Sequence, residues 1–265
     1  MRPAATMVLL GLLCVPAGTA ERPRQAQISA SVEPDVRVGW VSGLALLMDV
    51  YQPAPRSGHG IVLIPGSAWR PGTAEDTPHT EQVAAAGPVY LNHLLAAGYT
   101  VFVPNVRMPP AFGRAEALAD LQRAVGFIRQ SASRWAIDPA RLGAFGASSG
   151  GHLAASLGTL DAGGSARVQA VVAMAASFDG SRADGAPLTQ VSAGDAPMLI
   201  IHGEVDDVVP VSQAEWMEQA RLKAGIVARF IRVAGAGHGG PVMDARHPEL
   251  MAQVVAWFDR HLRGR

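Results

Sequence analysis

Apolar residues along this chain follow two different rhythms, and the contrast between them sets the expected architecture. Near the beginning, Ile28 to Val32, Val36 to Val41 and parts of Leu44 to Tyr51 alternate apolar with polar side chains. That is the pattern of strands with one covered face, and it predicts antiparallel strands at one edge of a sheet. Further on, Ile61 to Ile64, Thr100 to Val103, Val168 to Ala175 and Met198 to Ile201 are apolar almost without interruption. Short runs of that kind predict strands buried on both faces, as in a parallel sheet covered on each side. Helical spacing lies between them. Pro88 to Ala97 is a candidate helix closed by Gly98, and Ala115 to Trp135 a longer one, with Leu118, Leu121, Ala124, Val125 and Ile128 on one stripe. Ser212 to Ala224 is a third helix, Ala228 to Val233 another strand, and Pro248 to Leu262 a closing amphipathic helix. Strands alternating with helices over this length predict an α/β domain with a mostly parallel central sheet, helices on both faces and an antiparallel N-terminal edge. No internal repeat or interrupting linker is found, so residues 21–265 are read as one domain.

Composition narrows the range of functions. Of 265 residues, 49% are hydrophobic and 17% charged, and Lys plus Arg equals Asp plus Glu at 22 each. A balanced surface supplies no field for tracking a phosphate backbone, so no nucleic-acid partner is expected. Residues 1–20 stand apart. Arg2, the apolar run Met7 to Val15 and the small residues Ala17 to Ala20 have the layout of a secretory signal peptide cut after Ala20. The run is too short to span a bilayer, so no stable membrane insertion is expected and the mature chain is placed outside the cell or in a periplasm. Cys14, the only cysteine, lies within the segment to be removed.

The stretch most suggestive of chemistry is Leu142 to His152, which reads strand, tight turn, helix. Gly146, Ser148 and Gly150 fit G-x-S-x-G, the pattern of a serine exposed on a strained strand-to-helix turn. A second register would centre on Ser149, but the strand-like run ends at Phe145 and Gly146, which puts Ser148 at the corner. A serine hydroxyl needs a base and a group to orient that base. The strand Met198 to Ile201 runs into an acidic loop in which Asp206 and Asp207 are both candidates for the orienting group. The general base is His238, the one histidine of eight in a glycine-rich loop that follows a strand and lies downstream of the acid.

Backbone amides must also receive the negative charge that develops on an attacked carbonyl. Ser149, directly after the nucleophile, offers one, and the loop Pro65-Gly66-Ser67-Ala68-Trp69 offers those of Ser67 and Ala68, with Trp69 as a wall of the substrate pocket. His202, at the end of a buried strand, reads as a satisfied core histidine, and His152 as support or packing beside the elbow. Glu81 and Asp76 read as solvated loop residues. His79, His93, His247 and His261 lack metal-ligand spacing, so neither metal nor cofactor is expected.

With these residues in place, the chain from about Leu44 onward resembles the α/β-hydrolase superfamily, in particular bacterial carboxylesterases and lipases of the acetyl xylan esterase-like kind. The resemblance rests on Asp138-Pro139-Ala140-Arg141-Leu142-Gly143 leading into Gly146 to Ala154, on His202-Gly203-Glu204-Val205-Asp206-Asp207-Val208-Val209-Pro210, on Gly237-His238-Gly239, and on Val103-Pro104-Asn105-Val106-Arg107. It implies an α/β-hydrolase fold and selects Asp206, three residues after the glycine of the His-Gly pair, as the acid. Where the family often has His-Gly-Gly-x-Trp, this chain has Pro65-Gly66-Ser67-Ala68-Trp69; the replaced histidine is a side-chain support, so the amide donors can survive. The insertion Ser177 to Ala196 is too short and polar for a helical lid, which implies a minimal cap. The implied activity is a secreted serine esterase that forms an acyl-enzyme, with a small-molecule or polysaccharide-linked ester as substrate and acetyl, other short-chain or feruloyl groups as the acyl part. Two other readings share these residues, a prolyl-oligopeptidase-like peptidase and a non-catalytic binding protein on the same fold.

Overall fold

A computed structural model describes residues 30–66, 69, 88–108, 111–159, 164–179, 186–238 and 247–264. The expected signal peptide and the polar-loop residues Asp76, His79 and Glu81 lie outside them. Eight strands form one sheet: β1 (Ala30–Val41), β2 (Leu44–Pro53), β3 (Gly60–Ile64), β4 (Thr100–Pro104), β5 (Leu142–Ala147), β6 (Ala170–Met174), β7 (Met198–Gly203) and β8 (Ala228–Val233). Their spatial order is β1-β2-β4-β3-β5-β6-β7-β8. β1 pairs antiparallel with β2, and β2 antiparallel with β4. Every later pairing is parallel, from β3 with β4 across to β7 with β8. Among the described residues, five α-helices accompany the sheet: α1 (Pro88–Ala96), α2 (Arg114–Gln130), α3 (Ser149–Gly158), α4 (Ser212–Lys223) and α5 (Pro248–Phe258).

The uninterrupted apolar runs are explained by the pleat. Successive side chains of a strand point to opposite faces, so a strand with a core on each side needs apolar residues at every position. Val62 and Ile64 of β3 and Ala144 of β5 join one core, packed with Leu121, Val125 and Ile128 of α2 and with Leu153 and Leu157 of α3. Ile61 and Leu63 of β3 and Phe145 of β5 join the other, with Leu94 of α1 and Val254 and Phe258 of α5. Burying each such large side chain contributes about 1.5–3 kcal/mol relative to leaving it in water.

Two expected boundaries move. The alternating segments before and after Pro34 belong to a single strand, β1, whose register slips between Glu33 and Val36 and again between Arg37 and Gly39. Pro34 has no N–H for the ladder, which breaks the alternation, but the chain crosses the break as a bulge, with the Asp35 amide donating to Asp49 Oδ1 at 3.0 Å. The long helix, expected to run to Trp135, stops earlier. α2 ends at Gln130, and a tighter 3₁₀ turn from Ala132 to Trp135 carries the Trp135 ring onto Phe102, 5.0 Å between centroids.

Candidate active site

The expected elbow is built as a strained corner. β5 ends at Ala147, α3 starts at Ser149, and between them Ser148 sits at φ 53°, ψ −121°. That region of backbone space is costly for a residue with a side chain and persists only where the surroundings enforce it. They do so here by close approach. A Cβ on Gly146 would lie 2.1 Å from the Gly150 carbonyl oxygen, and one on Gly150 would lie 2.1 Å from that of Ile64. Only glycine lets the end of β5, the start of α3 and the end of β3 converge. The Ser148 amide donates to the Met174 carbonyl at 2.8 Å, tying the corner to β6.

The acid and histidine loops meet through their own backbone. β7 and β8 are parallel neighbours, and beyond them the Glu204 amide donates to the Val233 carbonyl and the Val205 amide to the Ala236 carbonyl, each at 3.0 Å. The Gly235 amide donates to Glu204 Oε2 at 2.9 Å. With the two loops stitched side by side, Asp206 and His238 come into contact. His238 Nδ1 lies 2.9 Å from Asp206 Oδ2 and 3.1 Å from Oδ1, and His238 Nε2 lies 3.0 Å from Ser148 Oγ. The neighbouring Asp207 is exposed and makes no such contact. The Asp206 carboxylate is wholly buried, and its Oδ1 also accepts the amides of Val208 and Val209 at 2.9 and 2.8 Å. Three loops at the carboxyl ends of the parallel strands thus bring Ser148, His238 and Asp206 into one line of hydrogen bonds, the position expected for a site in an open α/β sheet.

The remaining site residues are placed less completely. Ser149 is buried in the first turn of α3, whose amides have no carbonyl one turn back within the helix. Ser67 and Ala68 lie outside the described residues. The start of their loop is nonetheless beside the serine, since a Cβ on Gly66 would fall 3.2 Å from Ser148 Cβ. Trp69 is half-buried, packs edge-on against the His152 ring at 5.5 Å, and carries the Arg114 guanidinium 4.7 Å above its own ring. His152 Nδ1 donates to the Ser177 carbonyl at 2.8 Å, so this histidine ties the elbow helix to the segment after β6.

His202 departs from its reading as a satisfied core residue. It is fully buried, but its Nδ1 has no hydrogen-bond partner, while its Nε2 lies 3.1 Å from Asp206 Oδ2. Gln213 was given no part from its sequence position, yet its Oε1 accepts the amides of Phe178 and Asp179 at 2.9 and 3.0 Å and fixes the segment after β6. A glutamine in the first turn of a helix carries no signal of that use. The insertion between β6 and β7 contributes a 3₁₀ turn, Pro187–Gln190, among its described residues. Among the described residues no cluster of His, Cys, Asp and Glu could hold a metal ion, and no helix is long and apolar enough to cross a membrane.

Known proteins resemble the chain in sequence and in fold. Residues 48–179 match the family model BD-FAE, and residues 181–265 match the prolyl oligopeptidase family. The first segment holds Ser148 and the second holds Asp206 and His238. Esterase LipC of Mycobacterium tuberculosis is 25% identical over 261 residues, an alignment covering 81% of this chain and 62% of LipC, so the chain spans about three fifths of that relative's length. Among solved structures, a truncated carbohydrate esterase from gut microbiota superimposes with a TM-score of 0.72 at 25% identity, covering 86% of this chain and 96% of that one. The butyrate-bound esterase Est2 of the planctomycete Thermogutta terrifontis, at 22% identity, has the same fold, with a TM-score of 0.70 over 87% of this chain and 93% of its own. Sheet order, strained elbow and these matches agree on an α/β-hydrolase fold, and the proteins that the chain resembles include esterases.

Proposed function

We propose that this chain is a secreted serine hydrolase of carboxylic esters that works through an acyl-enzyme. The observation that carries the reading is the hydrogen-bonded line from Ser148 Oγ through His238 to Asp206. Ser148 attacks the ester carbonyl, His238 takes the serine proton and returns it to the leaving alcohol, and Asp206 holds the imidazole with Nδ1–H toward the carboxylate. Water then repeats the sequence on the acyl-enzyme. The Ser149 amide and those of Ser67 and Ala68 receive the oxyanion, and Trp69 forms a wall of the pocket. The chemistry asks for no cofactor.

Acetyl, short-chain or feruloyl esters on a small alcohol or a polysaccharide are the substrates, and residues 1–20 direct export. The names of the relatives support the substrate class, since they include a carbohydrate esterase and an esterase that binds butyrate. A screen of p-nitrophenyl acetate, butyrate and octanoate, a feruloyl ester and acetylated xylan tests it. Turnover of the short or feruloyl esters is expected, and absence of all ester turnover, or its retention in Ser148→Ala, would overturn the reading. The match of residues 181–265 to the prolyl oligopeptidase family favours one second reading, peptide hydrolysis. Cleavage of a proline p-nitroanilide peptide without ester cleavage would select it.

A further inference from the structure

β7 ends in a titratable group that the proton transfers above do not use. His202 Nε2 lies 2.9 Å from the Val209 carbonyl oxygen and 3.1 Å from Asp206 Oδ2. Both partners accept, so Nε2 bears the hydrogen, which it donates to the Val209 carbonyl while lying against Asp206 Oδ2. A second proton on Nδ1 would create a buried cation with an unmet donor, and burial already drives the ring's pKa below the ordinary histidine value. His202 is therefore the neutral Nε2–H tautomer. As a space-filler such a ring is a poor choice, because an orphaned buried nitrogen costs stability that a phenylalanine in the same volume would not. Contact with the acid is what the histidine provides.

We propose that His202 is a positioning residue for Asp206: its Nε2–H holds Oδ2, the carboxylate oxygen nearest His238 Nδ1, while the Val208 and Val209 amides hold Oδ1. This rests on the serine-hydrolase reading of the site. Gripped at both oxygens, the carboxylate cannot rotate away from the imidazole. The donor also draws negative charge from Oδ2 and so limits how strongly Asp206 stabilises protonated His238. Without it, the carboxylate presents a fuller charge to the imidazole.

Charged residues on the strand and helix beside β7 have partners of their own. Arg232 of β8, opposite His202 in the ladder, pairs with Glu215 of α4. Glu218 of α4 accepts the Phe230 amide, and Arg221 of α4 pairs with Asp195. β6, on the other side, has no titratable residue. Asp206 and His238 are the groups whose charge His202 feels most.

The test is pH-dependent hydrolysis of p-nitrophenyl acetate by the full chain carrying His202→Phe or His202→Gln, the glutamine retaining a donor. His202→Phe is expected to lower kcat about tenfold with little change in KM, as loss of an oriented general base would. It is also expected to move the acid limb of kcat/KM up by about half a pH unit, the sign for a base facing a less shared carboxylate. His202→Gln should recover most of both. Wild-type kcat and acid limb in folded His202→Phe, or equal losses in both variants with the limb unmoved, would overturn the proposal. Nitrogen-15 NMR of the wild-type histidines gives a readout that no variant's folding can spoil. A neutral Nε2–H signal for His202 from about pH 6 to 8 supports the proposal, and an Nδ1–H tautomer or a titration in that range refutes it. Turnover by Ser148→Ala would instead condemn the underlying site reading.

Discussion

Asp120 and Asp206 are both carboxylates removed from water, and they are used in opposite ways. Asp120, on the inner face of α2, meets a permanent cation. Arg107 donates to it from the backbone at 3.0 Å, from Nε at 2.9 Å and from Nη2 at 2.8 Å, and these bonds raise the guanidinium's own pKa. The two charges cancel, and the pair locks the segment after β4 onto α2. Asp206 accepts two backbone amides and lies against two imidazoles, with no arginine or lysine among its partners in the described residues. In the proposed mechanism its charge stays uncancelled until His238 takes the serine proton. A buried carboxylate matched to a fixed cation serves the fold, whereas one matched to a group that is charged only for an instant can stabilise a transient imidazolium.

That distinction leads to graded expectations. Ser148→Ala removes the proposed nucleophile and should reduce ester kcat/KM by about 10⁴-fold or more with the melting temperature nearly unchanged. Asp206→Asn should cost about 10²–10⁴-fold in kcat, because an amide no longer enforces the working tautomer, while the chain remains folded by circular dichroism. Asp120→Asn should show the reverse. Leaving Arg107 desolvated and unpaired should destabilise the protein by about 3–5 kcal/mol in urea unfolding. The kcat of its folded fraction should stay within about twofold of wild type, since Asp120 does not touch the proposed triad. If Asp120→Asn abolished turnover without loss of stability, the contrast between the two acids would fail.

Acid should weaken the fold through histidines that folding removes partly or wholly from water. Burial lowers the pKa of His59, His202 and His261, so the unfolded chain takes up protons before the folded one does. Stability is therefore fullest above the unfolded histidine pKa of about 6.5 and declines as pH falls below it. Melting curves between about pH 7 and pH 5 should show that slope, and His202→Phe should flatten it. The smallest effect belongs to Asp207. As an exposed neighbour of the acid, Asp207→Asn should leave kcat within about twofold of wild type, and a larger loss there than at Asp206 would reassign the orienting group.

The order of elements was readable in the chain because it depends on local chemistry. Uninterrupted apolar runs mark strands with a core on each face, and helical stripes mark helices with one. Gly146 and Gly150 around Ser148 announced a corner because only glycine tolerates the backbone contacts that a strand-to-helix turn imposes. Where local chemistry misled, a distant partner was responsible. Pro34 interrupts an alternating pattern, but Asp49 on the next strand catches the following amide and keeps β1 whole.

The meeting of Ser148, Asp206 and His238 belongs to tertiary structure alone. Residues 58 and 90 positions from the serine come within hydrogen-bonding reach only because β7 and β8 are adjacent and the loops beyond them share backbone bonds. Asp206 and Asp207 are equivalent as letters in an acidic loop, and family resemblance was needed to rank them. In the structure the loop turns so that one carboxylate is enclosed and the other is left in water. The same packing set the state of His202, since whether a buried histidine is satisfied depends on which acceptors the fold brings to each ring nitrogen, and no pattern along the chain records that.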